Sequence, residues 1–120
     1  MTRSLVVKVT CGPEDAERLN QAFTVAATAA ASGAPVSLWL TGEASWLATP
    51  GNAATFELPL ATPLPDLLAA VLESGTVTVC SQCAARRSLV ESDLLPGVRI
   101  AGAAVFAEEV LGDGVQALVY

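Results

Sequence analysis

Short runs of apolar and β-branched residues alternate along the chain with segments whose apolar residues recur at helical spacing. The runs are typical of strands buried on both faces of a parallel sheet. They predict strands at 5–9, 36–40, 76–80, 98–100 and 115–119. The intervening segments predict a helix from Pro13 to a stop signal at Gly33, further helices at 65–73, 81–90 and 103–111, and a helical turn at 43–48.

Strands that alternate with helices favour βαβ units and a sheet covered on both faces. We therefore predict an α/β fold: one three-layer domain over residues 1–120, with a mainly parallel sheet of about five strands. Residues 53–63 fit this pattern poorly. Residues 55–58 suit a strand at a sheet edge, although Pro59 and Pro63 limit the pairing there.

The composition is that of a folded protein with an unusually apolar surface. Apolar residues make up 52% of the chain and charged residues 15%, which excludes intrinsic disorder. A domain of 120 residues has a large surface relative to its core. We therefore expect another subunit to cover part of the apolar surface, and we predict a homo-oligomer.

The net charge and the cysteine content indicate which kinds of partner and which cellular compartment to expect. A net charge of −6 argues against nucleic acid, and only Arg86 and Arg87 form a basic pair, which suits one small anion. The longest uncharged stretch, 19–42, is interrupted by polar residues and a Ser-Gly-Ala-Pro break, so we predict no membrane association. The first apolar run is too short for a signal peptide, and three cysteines are an odd number. Both features predict a cytoplasmic protein.

The strongest chemical signal is Cys80-Ser-Gln-Cys83 at the end of the third predicted strand. Open parallel sheets place ligands at the carboxyl ends of their strands. A helix that begins at Cys80 directs free backbone N–H groups at its sulfur, and Arg86 adds positive charge nearby. Both effects favour a thiolate or a persulfide anion. Cys83 lies one helical turn further on, where it can form a disulfide with Cys80.

Other interpretations compete with this one. Each cysteine, Cys11 above all, is also compatible with a small buried apolar residue. A zinc site needs four ligands, and three cysteines without histidine fall short, so we predict no metal. The absence of histidine excludes Ser-His-Asp and Cys-His catalysis, and no glycine-rich nucleotide-binding motif is present. Glu108 and Glu109 are expected on the solvated face of the last helix.

The candidate site therefore centres on the third strand and takes in the ends of its neighbours. Trp39 and Trp46 flank the end of the second strand, where they suit a pocket or the core. The predicted residues are Cys80 and Cys83 as catalytic thiols, Ser81, Gln82 and Arg86 as groups that stabilise the thiolate, and Cys11, Gly12, Trp39, Thr41 and Gly42 as pocket candidates.

Several segments together resemble the DsrE/DsrF family of sulfur-relay proteins. They are the first strand leading into 12–15, the alanine-rich first helix, strand 36–40, strand 76–80 with its helix, and 95–102 leading into the last helix and strand. The resemblance implies a flavodoxin-like fold and oligomers, commonly trimers or hexamers. It also implies a persulfide on one cysteine at the end of a central strand, a position that Cys80 matches. Cys83 departs from the single-thiol pattern of relay carriers.

Three functional hypotheses follow. The first is a persulfide carrier or sulfurtransferase-like protein without a cofactor, which uses Cys80 in a cytoplasmic sulfur relay and exchanges sulfur with a donor or acceptor protein. The second is a dithiol–disulfide redox protein that uses Cys80 and Cys83, although the Trp-Cys-Gly-Pro-Cys setting of thioredoxins is missing. The third is an oligomeric module that binds a small ligand, in which the cysteines are incidental.

Overall fold

The five predicted strands all form, and they pair in one parallel sheet. A computed structural model describes residues 3–120, so the first two residues of the predicted domain lie outside the described part. Strands β1 to β5 span Ser4–Val9, Val36–Leu40, Thr76–Cys80, Val98–Ala101 and Val115–Val119. Helices α1 to α4 span Ala16–Ala31, Leu64–Ser74, Ser81–Arg86 and Ala103–Val110, and 3₁₀ turns occupy Pro13–Asp15, Gly42–Ala48, Ala53–Thr55 and Glu91–Asp93.

The sheet has the order β4-β3-β2-β1-β5, and every neighbouring pair is parallel. The prediction of an α/β domain with a mainly parallel sheet of about five strands is therefore confirmed. Since all strands run the same way, their carboxyl ends share one edge. This arrangement brings the residues that follow β1, β2 and β3 to neighbouring positions on that edge.

One face of the sheet carries the hydrophobic core. Side chains along a strand alternate between the two faces, so Val7, Leu38 and Val77 all point to the side where α1 and α2 pack. Phe23 of α1 is completely buried among them. Each large apolar side chain buried here contributes about 1.5–3 kcal/mol relative to an exposed one. This packing holds the ends of β1, β2 and β3 at fixed positions.

The opposite face is covered by α4, which has no fully buried residue. Trp39 of β2 points to this side and meets the Phe106 ring edge-on, with the ring centroids 5.2 Å apart. Glu109, three residues after Phe106, also faces the sheet. Its carboxylate accepts hydrogen bonds from Ser37 Oγ at 2.7 Å and from Trp39 Nε1 at 3.0 Å, and it pairs with Arg99. These polar contacts anchor α4.

The placement of Glu109 corrects one expectation from the sequence. We expected Glu108 and Glu109 to share a solvated face, but only Glu108 is exposed. Residues three apart lie on the same side of a helix, so the helix turn that seats Phe106 against Trp39 also turns Glu109 towards the sheet.

Two further predictions are also wrong: the end of the third helix and the edge strand at 55–58. Helix α3 ends at Arg86, not near Val90, because Ser88 takes a left-handed conformation with φ of 56° and the Leu89 N–H bonds back to the Ala84 carbonyl at 2.9 Å. The segment 55–58 joins no sheet. Instead a 3₁₀ turn ends at Thr55, and an irregular loop continues to α2. The proline residues of that loop have no N–H to donate to a neighbouring strand.

Candidate functional site

Cys80 lies at the junction between the sheet and α3. It is the last residue of β3 and the residue immediately before the first turn of α3, and its side chain is partly exposed. It pairs with Ala101 at the end of β4, where α4 begins after Gly102. A side chain on Gly102 would come within 2.9 Å of Ser81 Oγ, so glycine leaves room for the start of α3.

The surroundings of Cys80 favour its ionised form. Partial burial raises the pKa of the thiol, but hydrogen bonds from the backbone N–H groups of Cys83 and Gln82, from the Cys83 thiol, and the positive charge of Lys8 together lower it below the ordinary value of 9.0. A larger fraction of the sulfur is therefore thiolate at neutral pH, which makes it a better nucleophile.

The positive charge near Cys80 comes from a residue that the sequence did not suggest. Lys8 lies on β1, on the face that α4 covers, and its ammonium group sits 4.6 Å from the centre of the Phe106 ring. Arg86 was expected in this role. It lies at the carboxyl end of α3, exposed, with a hydrogen bond to Gln82 Oε1 at 3.4 Å. A lone lysine in a strand gave no signal in the sequence, because its distance from Cys80 depends on the strand order.

Cys83 is buried beside Cys80 and is held by the loop after β2. The Gly42 N–H donates a hydrogen bond to Cys83 Sγ at 3.2 Å. Gly42 has φ of 56°, and a side chain there would meet the Thr10 carbonyl oxygen at 3.2 Å, so the loop requires glycine. Thr41 fixes its start by donating from Oγ1 to the Val9 carbonyl at 2.8 Å. The predicted pocket residues Thr41 and Gly42 thus position Cys83.

Cys11 and Gly12 form a different environment. Burial raises the pKa of the Cys11 thiol, and the negative charges of Asp15 and Glu14 raise it further. The Gly12 N–H donates a hydrogen bond to the Glu14 carboxylate at 2.8 Å. Strand β2 separates β1 from β3, so the ends of those strands lie about 10 Å apart. The structure therefore does not bring Cys11 into the Cys80 cluster, and its surroundings suit an unreactive thiol.

The remaining predicted residues are occupied in structural contacts. Trp39 is only 1% exposed and packs beneath α4, so it lies inside the layers and not at the open edge. Arg87 forms a 2.8 Å ion pair with Glu43 and donates to the Cys83 carbonyl at 3.1 Å. Trp46 donates to the same Glu43 carboxylate at 3.3 Å. This chain of contacts ties α3 to the loop that carries Gly42.

Two cavities of the described structure lie away from the thiols. One of about 540 Å³ is formed within the loop at 56–64. Another of about 290 Å³ lies at the opposite, amino end of the strands, against Ser37, Thr76 and Arg99. Cys80 borders neither of them.

Neither a metal site nor a membrane span occurs among the described residues. Within residues 3–120, no three Cys, Asp or Glu side chains come together as a metal site requires. Among the helices of the described chain, none has both the length and the apolar character needed to cross a bilayer.

The DsrE/DsrF-like family model matches residues 3–118 of the chain. The chain belongs to this family. The resemblance inferred from the strand and cysteine pattern is therefore confirmed, and the match reaches all five strands of the sheet. Among curated proteins, no sequence gives a significant match.

Solved structures show the same fold at low sequence identity. The crystal structure of the YchN protein from Escherichia coli superposes with a TM-score of 0.81 at 18% identity, over 99% of this chain and 100% of that one. MTH1491 from Methanobacterium thermoautotrophicum gives 0.68 at 11% identity, with all of both chains covered. BT1422 from Bacteroides thetaiotaomicron gives 0.59 at 16% identity, over 98% of this chain and 95% of that one. MTH1491 and BT1422 are described as proteins of unknown function.

Proposed function

We propose that this DsrE-like chain carries sulfane sulfur as a persulfide on Cys80 and passes it to a thiol of a partner protein. One observation carries the proposal: a partly exposed cysteine at the end of a central strand whose pKa is lowered despite partial burial, by three hydrogen-bond donors and Lys8. Membership of the DsrE/DsrF-like family is compatible with a sulfur-relay role.

The chemistry needs no cofactor. The Cys80 thiolate attacks the outer sulfur of a donor persulfide, an S–S bond forms, and the donor leaves as a thiolate. An acceptor thiolate then attacks the outer sulfur on Cys80, and the Cys80 thiolate leaves. Neither step changes the overall oxidation state of the thiols. The groups that stabilise the thiolate also stabilise the persulfide anion. A reducing cytoplasm suits this cycle, because it keeps Cys80 free of unwanted disulfides.

We also propose that copies of the chain associate through the α4–β5 surface, which consists of Ala103, Ala104, Ala107, Ala117 and Val119. All five side chains are exposed, and Val119 keeps 64% of its surface accessible. Faces of parallel sheets are normally covered, and here α4 covers its face without a buried residue. Light scattering during gel filtration is expected to give a mass of at least twice 12.2 kDa. Val119→Glu should lower this mass, and a wild-type monomer would contradict the prediction.

The test of the carrier proposal is sulfur loading followed by intact mass spectrometry. Reduced wild-type protein is incubated with inorganic polysulfide at pH 7 and freed of excess reagent. We expect a gain of about one sulfur mass that dithiothreitol removes, complete loss of this gain in Cys80→Ser, and an unchanged gain in the matched control Cys11→Ser. Equal loading of Cys80→Ser and wild type would overturn the proposal.

A further inference from the structure

Cys83 is built into the site in a way that sulfur carriage on Cys80 alone does not require. A single thiol is enough to accept a sulfur atom and pass it on. Yet Cys83 is buried against the site, only 9% exposed, and its sulfur faces Cys80 from the first turn of α3. The protein therefore holds a second thiol permanently next to the first.

Cys83 is held in place by a hydrogen bond to its sulfur. The sulfur accepts the Gly42 N–H at 3.2 Å, in the first turn of the helix that begins directly after Cys80. The Gly42 donor stabilises the negative charge that develops on the Cys83 sulfur when its proton leaves. The loop that supplies this donor is fixed to β1 through Thr41, so the arrangement does not depend on a mobile segment.

We propose that Cys83 resolves the Cys80 persulfide within the same chain, which releases the sulfane sulfur as sulfide and leaves a Cys80–Cys83 disulfide. This inference rests on the proposed function, since it needs a persulfide on Cys80. It adds a second fate for the bound sulfur, namely reductive release, beside transfer to a partner.

The reaction needs no external oxidant, because the sulfane sulfur accepts the two electrons that the thiols lose. Cys83 sulfur attacks Cys80 Sγ, a bond forms between the two cysteine sulfurs, and the bond from Cys80 Sγ to the outer sulfur breaks. The outer sulfur leaves with the electron pair of that bond and takes up the Cys83 proton, so hydrogen sulfide is released from a protonated persulfide. Sulfane sulfur is reduced, and two thiols are oxidised to a disulfide. A further round needs an external dithiol reductant to restore both thiols.

The geometry favours attack on the inner sulfur over transfer of the outer one. Cys83 is buried one helical turn from Cys80, whereas Cys80 is partly exposed, so the outer sulfur of a persulfide has room on the solvent side. A partner thiol that approaches from outside meets the outer sulfur first. Internal resolution and transfer to a partner thus use different sulfur atoms, and the presence of an acceptor decides between them.

The experiment follows loaded protein over time without an acceptor. Reduced wild type, Cys83→Ser, Cys83→Ala and Cys11→Ser are loaded with inorganic polysulfide, desalted, and sampled for sulfide and intact mass. In wild type and Cys11→Ser, the species with one added sulfur should convert to one that lacks two hydrogens, with one equivalent of sulfide. Both Cys83 variants should keep the added sulfur and release sulfide at least about tenfold more slowly, because they lose the high effective concentration of a neighbouring thiol.

Peptide mapping assigns the disulfide. No lysine or arginine occurs between Arg18 and Arg86, so trypsin places Cys80 and Cys83 in one peptide and Cys11 in another. Loading of Cys83→Ser that decays as fast as wild type, or a disulfide to Cys11, would overturn the resolution step while sulfur carriage stands. Equal loading of Cys80→Ser and wild type would overturn the proposed function, and this inference with it.

Discussion

Iodoacetamide at pH 7 is expected to alkylate Cys80 at least about tenfold faster than Cys11, because each unit of pKa between two thiols changes the thiolate fraction about tenfold. Burial raises the pKa of Cys80, but hydrogen bonds from Cys83 and Gln82 and the charge of Lys8 outweigh it. Burial and two acidic neighbours raise the pKa of Cys11. The Cys80 rate should therefore level off below the ordinary thiol pKa of 9.0, and the Cys11 rate above it. Peptide mass spectrometry across pH 6–10 gives both profiles.

Two matched substitutions test whether the charge of Lys8 or that of Arg86 stabilises the Cys80 thiolate. Lys8→Met keeps an apolar side chain of similar length and should slow alkylation of Cys80 by up to about fivefold, since a half-exposed charge contributes about 0.2–1 kcal/mol. Arg86→Met removes an exposed charge at the far end of α3 and should leave the rate within about twofold. The reverse order of the two effects would show that the arginine, not the lysine, stabilises the thiolate.

Glu109→Ala is expected to lower the free energy of unfolding by about 2–3 kcal/mol. The substitution leaves the Ser37 hydroxyl and the indole N–H of Trp39 without their acceptor, and Trp39 is only 1% exposed. Arg99 loses its ion pair, but its side chain is 40% exposed and remains hydrated, so that loss is small. Urea denaturation should show a lower midpoint with an unchanged slope.

The matched control is Glu108→Ala, because Glu108 is the exposed neighbour on the same helix. It should change the free energy of unfolding by less than about 0.5 kcal/mol. An effect of Glu108→Ala as large as that of Glu109→Ala would mean that helix propensity or net charge is responsible, and not the contacts beneath α4.

The same carboxylate makes stability depend on pH. Partial burial raises the pKa of Glu109, but hydrogen bonds from Ser37, Trp39 and Arg99 and the charge of Arg99 lower it below the ordinary 4.5. A lowered pKa in the folded state means that this stabilisation is complete above the unfolded pKa and is lost as the pH falls through the folded value. Glu109→Gln should therefore flatten the fall in stability on the acid side of pH 4.5.

The sequence by itself determined most of the local elements and the position of Cys80 at the end of β3. Apolar runs at 36–40, 76–80 and 115–119 became strands with those bounds, because a strand buried on both faces needs a continuous run of apolar and β-branched residues. Gly33, with φ of 94°, follows the end of α1 as its stop signal predicted. The spacing of the two cysteines placed Cys83 in the first turn of α3 and Cys80 immediately before it, since helix geometry is local.

Only the tertiary structure decided which distant groups act on those thiols. The charge of Lys8 lowers the pKa of Cys80 because only β2 lies between β1 and β3 in the sheet. Gly42 contacts Cys83 because the loop after β2 lies beside α3. Glu109 turned inward because α4 packs over β2, where Ser37 and Trp39 donate hydrogen bonds to its carboxylate. Periodicity along a sequence reports the face on which a residue lies. The partners it meets there depend on strand order and helix placement, which are set by packing between segments far apart in the chain.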